Sequence, residues 1–148
     1  MTITYHSGKR LQGIESDRAI TTNFDGAGGT ESTNGAKSVF TFTSVGSTNF
    51  VLTGSGDVEY LIVAGGAGGG KTSAGGGGAG GMKTGTFTNL AAGTYSVVVG
   101  AAGTGSTQNS VNGTNGGDSS VNSITSTGGG GGSGYPNAGG NGGSGGGC

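Results

Sequence analysis

Residues 58–90 read VEYLIVAGGAGGGKTSAGGGGAGGMKTGTFTNL, and this passage decides the fold. VEYLIVA, at 58–64, is apolar on both faces, which predicts a strand placed centrally in a sheet. MKTGTFTNL, at 82–90, is a second strand candidate. Between them lie the glycine runs GGAGGG, at 65–70, and AGGGGAGG, at 74–81. Glycine brings no side chain to a core and loses the most backbone freedom on ordering. A free Gly/Ser tract is normally a flexible linker. Here the runs interrupt a series of strands, so they read as part of the fold. Helix is excluded, because the apolar spacing is two rather than three or four and each glycine costs roughly 1 kcal/mol in a helix.

Working outward, the strand pattern repeats. In KSVFTFTSV, at 37–45, Phe40 and Phe42 face one way and Val39, Thr41 and Thr43 the other. In NFVLT, at 49–53, Phe50 and Leu52 share a face. GTYSVVVG, at 93–100, and SSVNSITST, at 119–127, complete the set. Asn112-Gly113 and Asn115-Gly116 read as hairpin-type turns. Two further glycine runs, TGGGGGSG at 127–134 and GGNGGSGGGC at 139–148, close the chain given. Six or seven short strands predict an all-β fold, a jelly-roll-like β-sandwich. The runs are too long for turns. They are expected to form extended helices of three residues per turn, polyglycine-II-like, which pack side by side and bond to one another because no Cβ intervenes.

Residues 1–35 read as an extended N-terminal arm and residues 36–148 as the glycine-rich sandwich domain. MTITYH alternates, with Ile3 and Tyr5 on one face. LQGI and RAITTNF are further short extended pieces, and DGAGGTESTNGA, at 25–36, is a polar loop. A sandwich short of a strand leaves unpaired backbone groups, and an extended segment can fill that groove on a neighbour. Repeated head to tail, such a contact gives an open filament. Ile3, Tyr5, Leu11 and Ile14 are the expected anchors of the arm. The competing reading folds the arm back as an edge strand of its own sandwich.

Of 148 residues, 41 are glycine, 6% are aromatic and 9% are charged, and the net charge is −1. The absence of a basic stripe argues against nucleic-acid binding, and a net charge near zero favours association. No apolar run approaches the roughly 18 residues of a membrane helix. MTITYHSGKRLQG has no apolar core of the secretory-leader kind, so an extracellular protein would use another route or be released by lysis, as virion parts are. Cys148, the single cysteine, has no partner within the chain. It can pair between chains, stay a free thiol, or mark a cut in a longer chain, and we take the last reading.

Gly65–Thr72, GGAGGGKT, fits the phosphate-loop pattern G-x-x-x-x-G-K-[ST] after a strand. That chemistry needs a helix N-terminus immediately afterwards, and SAGGGGAGGM cannot supply one, so nucleotide binding is not expected. His6, the only histidine, lacks companions for a zinc site. Asp57 and Glu59 share a strand face, but a single pair beside a turn reads as a solvated strand entry rather than a glycosidase dyad. No catalytic, cofactor or metal residue is therefore assigned, and no enzyme activity is expected. Asn112-Gly113-Thr114 is the single N-x-[ST] sequon and a weak glycosylation candidate.

The order VEYLIVAGGAGGG, GGGGAGGMKTGTFT, AAGTYSVVVGAAG, NGGDSSVNSITSTGGGGG, covering about residues 57–148, resembles the glycine-rich domain of phage tail-fibre and receptor-binding proteins. It also resembles small glycine-rich surface proteins of uncultured bacteria and archaea, and MTITYHSGKRLQG is similar to the starts of such proteins. The resemblance implies a structural or adhesive part, extracellular or virion-associated, without enzymatic residues to transfer. In tail-tip adhesins of this kind, stacked glycine-rich helices form a rigid core and variable loops contact the host. The chain departs from a tail fibre in being short and in lacking a coiled coil or shaft repeat. Two expectations follow. The first is a filament subunit that polymerises with itself by strand donation. The alternative is a fibre tip or adhesin that binds cell-surface glycans.

Overall fold

The computed structural model describes residues 24–25, 29–34 and 37–148. Ile3, Tyr5, Leu11, Ile14 and His6 lie outside the described residues. Nine strands follow in order: β1 (Phe24–Asp25), β2 (Thr30–Asn34), β3 (Lys37–Thr41), β4 (Gly46–Leu52), β5 (Gly56–Val63), β6 (Met82–Leu90), β7 (Gly93–Val99), β8 (Ser119–Val121) and β9 (Ile124–Ser126). The described residues are all β, without a helix. They form three antiparallel sheets, β1-β4-β7-β8-β9, β2-β3 and β5-β6.

The sheets meet around Phe50, Leu52 and Val97. Against this cluster pack Phe40, Phe42, Val58, Leu90, Tyr95 and Val121, so every sheet contributes. Phe50 holds Phe40 at a ring-centroid distance of 5.5 Å and Phe42, edge-on, at 6.5 Å. This is sandwich-like packing, and the faces match the alternation of Phe40/Phe42 and Phe50/Leu52. Among the described residues the side-chain core is small: the buried apolar residues are Phe50, Leu52, Ile62, Ala64 and Val97. Lys37 Nζ meets Glu59 Oε1 at 2.8 Å, with both side chains about two-thirds exposed. Such an exposed pair contributes about 0–1 kcal/mol, so it ties the β2-β3 hairpin to β5 only lightly.

Four local readings need correction. Among the described residues VEYLIVA does not sit centrally. Strand β5 pairs only with β6 among the described residues, burying Ile62 and leaving Leu61 and Val63 exposed. SSVNSITST is two strands, not one. Asn122, at φ 52°, turns β8 back onto β9, and asparagine tolerates that left-handed conformation. The polar loop 25–36 contains β2, whose TESTN alternation pairs residue by residue with β3 from Thr30↔Thr41 to Asn34↔Lys37. Finally, Asn112-Gly113 and Asn115-Gly116 are not turns but parts of an extended segment, 111–118.

The strand pairs run on into the glycine runs without slipping register. Val63 lies opposite Met82 in the β5-β6 ladder. The same pairing then continues through Ala64 N to Gly81 O, Ala67 N to Gly78 O and Gly70 N to Gly75 O. Likewise β7-β8 continues as Gly117 N to Ala101 O and Thr114 N to Thr104 O, and β8-β9 as Gly116 N to Gly129 O and Gly113 N to Gly132 O. Only the period changes, from two residues in the strands to three in the glycine segments. The sandwich therefore stands at one end of the molecule and a glycine lattice prolongs it at the other.

Candidate functional site

The lattice is built around one buried segment. Gly128, Gly129, Gly130, Gly131, Gly132, Ser133 and Gly134 are all buried. Burying consecutive peptide groups is tolerable only if each N–H and C=O finds a partner, and here each does. Gly129 and Gly132 donate to the carbonyls of Gly65 and Gly68, both at 2.9 Å. Gly130 and Ser133 donate to Ser144 and Gly147 at 2.8 and 3.0 Å. Gly128, Gly131 and Gly134 donate to side chains instead: Asp118 Oδ1 at 2.8 Å, Asn115 Oδ1 at 2.7 Å and Asn112 Oδ1 at 2.8 Å. The carbonyls follow the same three-row rule. Those of 129 and 132 accept from Gly116 and Gly113, those of 130 and 133 from Gly78 and Gly75, and those of 128 and 131 from Gly143 and Gly140. Gly134 O accepts from Asn137 N. A repeat of three residues, with the bonds of 128–133 going to neighbouring segments of the chain, is the polyglycine-II-like arrangement expected from the sequence.

Glycine is required here for closeness, not for a special φ. Among the described glycines only Gly46 and Gly80 have positive φ. A Cβ on Gly128, Gly129, Gly130, Gly131 or Gly132 would instead fall within 3.0 Å of a carbonyl oxygen of an adjacent segment, namely that of Gly116, Gly78, Gly140, Gly113 or Gly75. Backbone packed on backbone has no rotamer with which to yield. The hydroxyl of Ser133 is small enough to fit, and it accepts a bond from Gly75 N at 3.3 Å.

The role of Asn112, Asn115 and Asp118 as side-chain acceptors in the lattice is what the sequence reading missed. Their spacing of three is the period of the lattice, and that was the available signal. The Asn-Gly dipeptides drew the hairpin reading because the same pair serves tight turns. Asn112 also donates from Nδ2 to Ala138 O at 2.6 Å. A glycan on this sequon nitrogen would have to share it with that contact.

At the end of the lattice away from the sandwich, three loops converge: 71–73, 107–110 and 135–137. Lys71 Nζ donates to Thr107 O at 2.8 Å, Thr72 Oγ1 to Asn109 Oδ1 at 2.7 Å, and Asn137 Nδ2 to Ser110 O at 2.7 Å. Thr72, Ser73 and Ser110 have φ of 63°, 49° and 59°. A left-handed threonine is unusual, and such residues concentrate where the surrounding structure over-determines them. Tyr135 projects from this tip with 69% of its surface exposed.

The phosphate-loop pattern Gly65–Thr72 occupies an edge of the lattice. The N–H groups of Gly65, Ala67, Gly68 and Gly70 are spent on Gly117, Gly78, Thr114 and Gly75, and Lys71 is held by Thr107. No helix follows, so the pattern lacks the helix N-terminus that would gather its amides around a phosphate. Asp57 Oδ1 accepts from Asn89 N at 2.7 Å, and Glu59 pairs with Lys37. Strand geometry thus engages each of the two carboxylates separately. Among the described residues no group of three or more His, Cys, Asp and Glu side chains could hold a metal ion. Among the described residues there is no helix long and apolar enough to cross a membrane.

A family model for a glycine-rich domain matches residues 42–148. No curated protein and no solved structure matches the chain.

Proposed function

The chain belongs to the glycine-rich domain family, and on that premise we propose that it is a structural subunit of an extracellular filament, joined head to tail by β-strand donation from the N-terminal arm. The observation that carries this reading is the polarity of the molecule. Phe24 pairs with Leu52, and Leu52 lies opposite Gly93, so β1 enters at the sandwich end farthest from the lattice. Phe24 and the loop tip therefore belong to opposite ends, as a polar repeat requires. An acceptor is also at hand. Strand β6 is nine residues long and pairs only with β5 among the described residues, which leaves a template for an added strand.

Wild-type protein is expected to form long polymers in negative-stain electron micrographs without added ligand. Full-length protein carrying Ile3→Asp and Tyr5→Asp is expected to stay soluble, with an unchanged far-ultraviolet circular dichroism spectrum. A wild-type protein that remains monomeric, or a variant that polymerises as before, would sink strand donation.

A second reading is favoured by the tip. Three cross-braced loops present an exposed tyrosine beside amide and hydroxyl groups, a combination that suits sugar rings. In this reading the protein is an adhesin or fibre tip that binds cell-surface glycans. Tyr135→Ala is then expected to weaken binding on a glycan array or to whole cells by roughly tenfold or more. Absence of any glycan signal from wild type rejects this reading.

A further inference from the structure

We infer that the outer face of the β5-β6 ribbon, together with the glycine segment 64–70 that prolongs it, is an interface with a second copy of this chain. The face begins with large apolar side chains. Leu61, Val63 and Met82 are 63%, 57% and 68% exposed, and Val63 and Met82 are cross-strand partners. Exposed sheet faces are normally protected by charge. Here no charged residue occurs between Glu59 and Lys71 on one limb of the ribbon, or between Lys71 and Lys83 on the other.

Beyond the apolar patch the face becomes bare backbone with unspent hydrogen bonds. Segment 64–70 donates to one neighbour through Ala64, Ala67 and Gly70, and to another through Gly65 and Gly68. The third row, the N–H groups of Gly66 and Gly69, meets no acceptor among the described residues, and the Ala67 carbonyl meets no donor. A Cβ on Gly66 or Gly69 would find only ordinary contacts, at 3.4 and 3.5 Å. Among the described residues nothing requires glycine at these two positions, unlike Gly128–Gly132.

The hydrogen-bonding pitch identifies the occupant. Donors recur every three residues, about 9.3 Å apart at 3.1 Å per residue. A β-strand repeats every two residues, at about 6.6 Å, and cannot follow that row. A matching chain must have the same pitch and no Cβ at the contact, and segment 64–70 itself offers the acceptor, Ala67 C=O, beside the donors. A second copy laid parallel to the ribbon, with its Ala67 carbonyl opposite these donors, sets apolar patch beside apolar patch. The parallel neighbours it creates already occur inside the lattice, where Gly129 and Gly132 bond to Gly65 and Gly68. A net charge of −1 offers little repulsion. This contact is lateral and does not depend on the arm.

Sedimentation velocity on full-length protein carrying Ile3→Asp and Tyr5→Asp separates the two contacts. That protein is expected to sediment as a dimer. Adding Val63→Lys and Met82→Lys is expected to give a monomer, with dimerisation weakened roughly tenfold or more and an unchanged circular dichroism spectrum. Leu61→Gln, a milder change, is expected to weaken the dimer in the same direction and serves if the lysine pair fails to fold. A monomeric arm variant at every concentration, or a dimer indifferent to these substitutions, overturns the proposal. If filaments persist in the arm variant, donation fails but the lateral contact is still read. The lysine pair must then narrow the filaments, and filaments of unchanged width overturn it.

Discussion

Gly131→Ala is expected to break the lattice, while Gly76→Ala is expected to leave it intact or slightly firmer. A methyl group on Gly131 would collide with the carbonyl of Gly113, and the residue sits in the buried segment. Overpacking in a side-chain core costs about 1–3 kcal/mol because rotamers can shift. Here the obstacle is main chain, and moving Gly131 away from it breaks the hydrogen bonds that Gly131 accepts from Gly140 and donates to Asn115, worth about 1 kcal/mol each. We therefore expect a loss of about 3 kcal/mol or more, or roughly 6–12 °C in Tm for a chain of this length. At Gly76 a Cβ meets nothing within 4 Å, and φ is not positive. Alanine there mainly restricts the unfolded chain and is expected to stabilise by about 0.4–1 kcal/mol. Urea midpoints of the two variants check the pair. Equal destabilisation would show that glycine content, and not close approach, matters.

Replacing Asn112, Asn115 and Asp118 together by leucine is expected to be comparably damaging. Each Oδ1 is the acceptor for one buried N–H, on Gly134, Gly131 and Gly128. An orphaned buried donor costs about 1–3 kcal/mol. The triple variant should lose roughly 3–9 kcal/mol if the sites behave independently. Asn115→Leu alone should lose about 2 kcal/mol. Asn115→Asp keeps an acceptor of the same shape and should lose much less. Amide hydrogen exchange supplies a readout that simple loss of packing would not give. Protection should fall first at Gly131 in Asn115→Leu, with Gly129 and Gly132 retaining theirs through Gly65 and Gly68. Uniform loss of protection in that single variant would mean that the ladder does not act residue by residue.

Much of the fold was legible in the sequence. The alternations at Phe40/Phe42 and Phe50/Leu52 identified the apolar faces that meet in the core. The two-residue period and the glycine content excluded helix. The placement of VEYLIVA was not legible. A strand apolar on both faces implies cover on both sides, and within one described molecule Leu61 and Val63 have none. The Asn-Gly pairs were misread because a short dipeptide carries two meanings. As a turn it needs a left-handed residue. As a rung it needs only the next acceptor three residues on, and Asn115 and Asp118 provide that.

The sequence by itself determined that the glycine runs are structural and that their natural period is three, since only a chain without Cβ atoms can pack backbone on backbone. It did not determine which runs become neighbours. Each run is chemically almost identical to the others, so no local signal distinguishes a central segment from a rim one. That choice belongs to the tertiary structure. The β5-β6, β7-β8 and β8-β9 ladders carry their register into the lattice and thereby deliver residues 128–134 to its centre. Side-chain packing in the sandwich sets the register, and backbone hydrogen bonding in the lattice extends it.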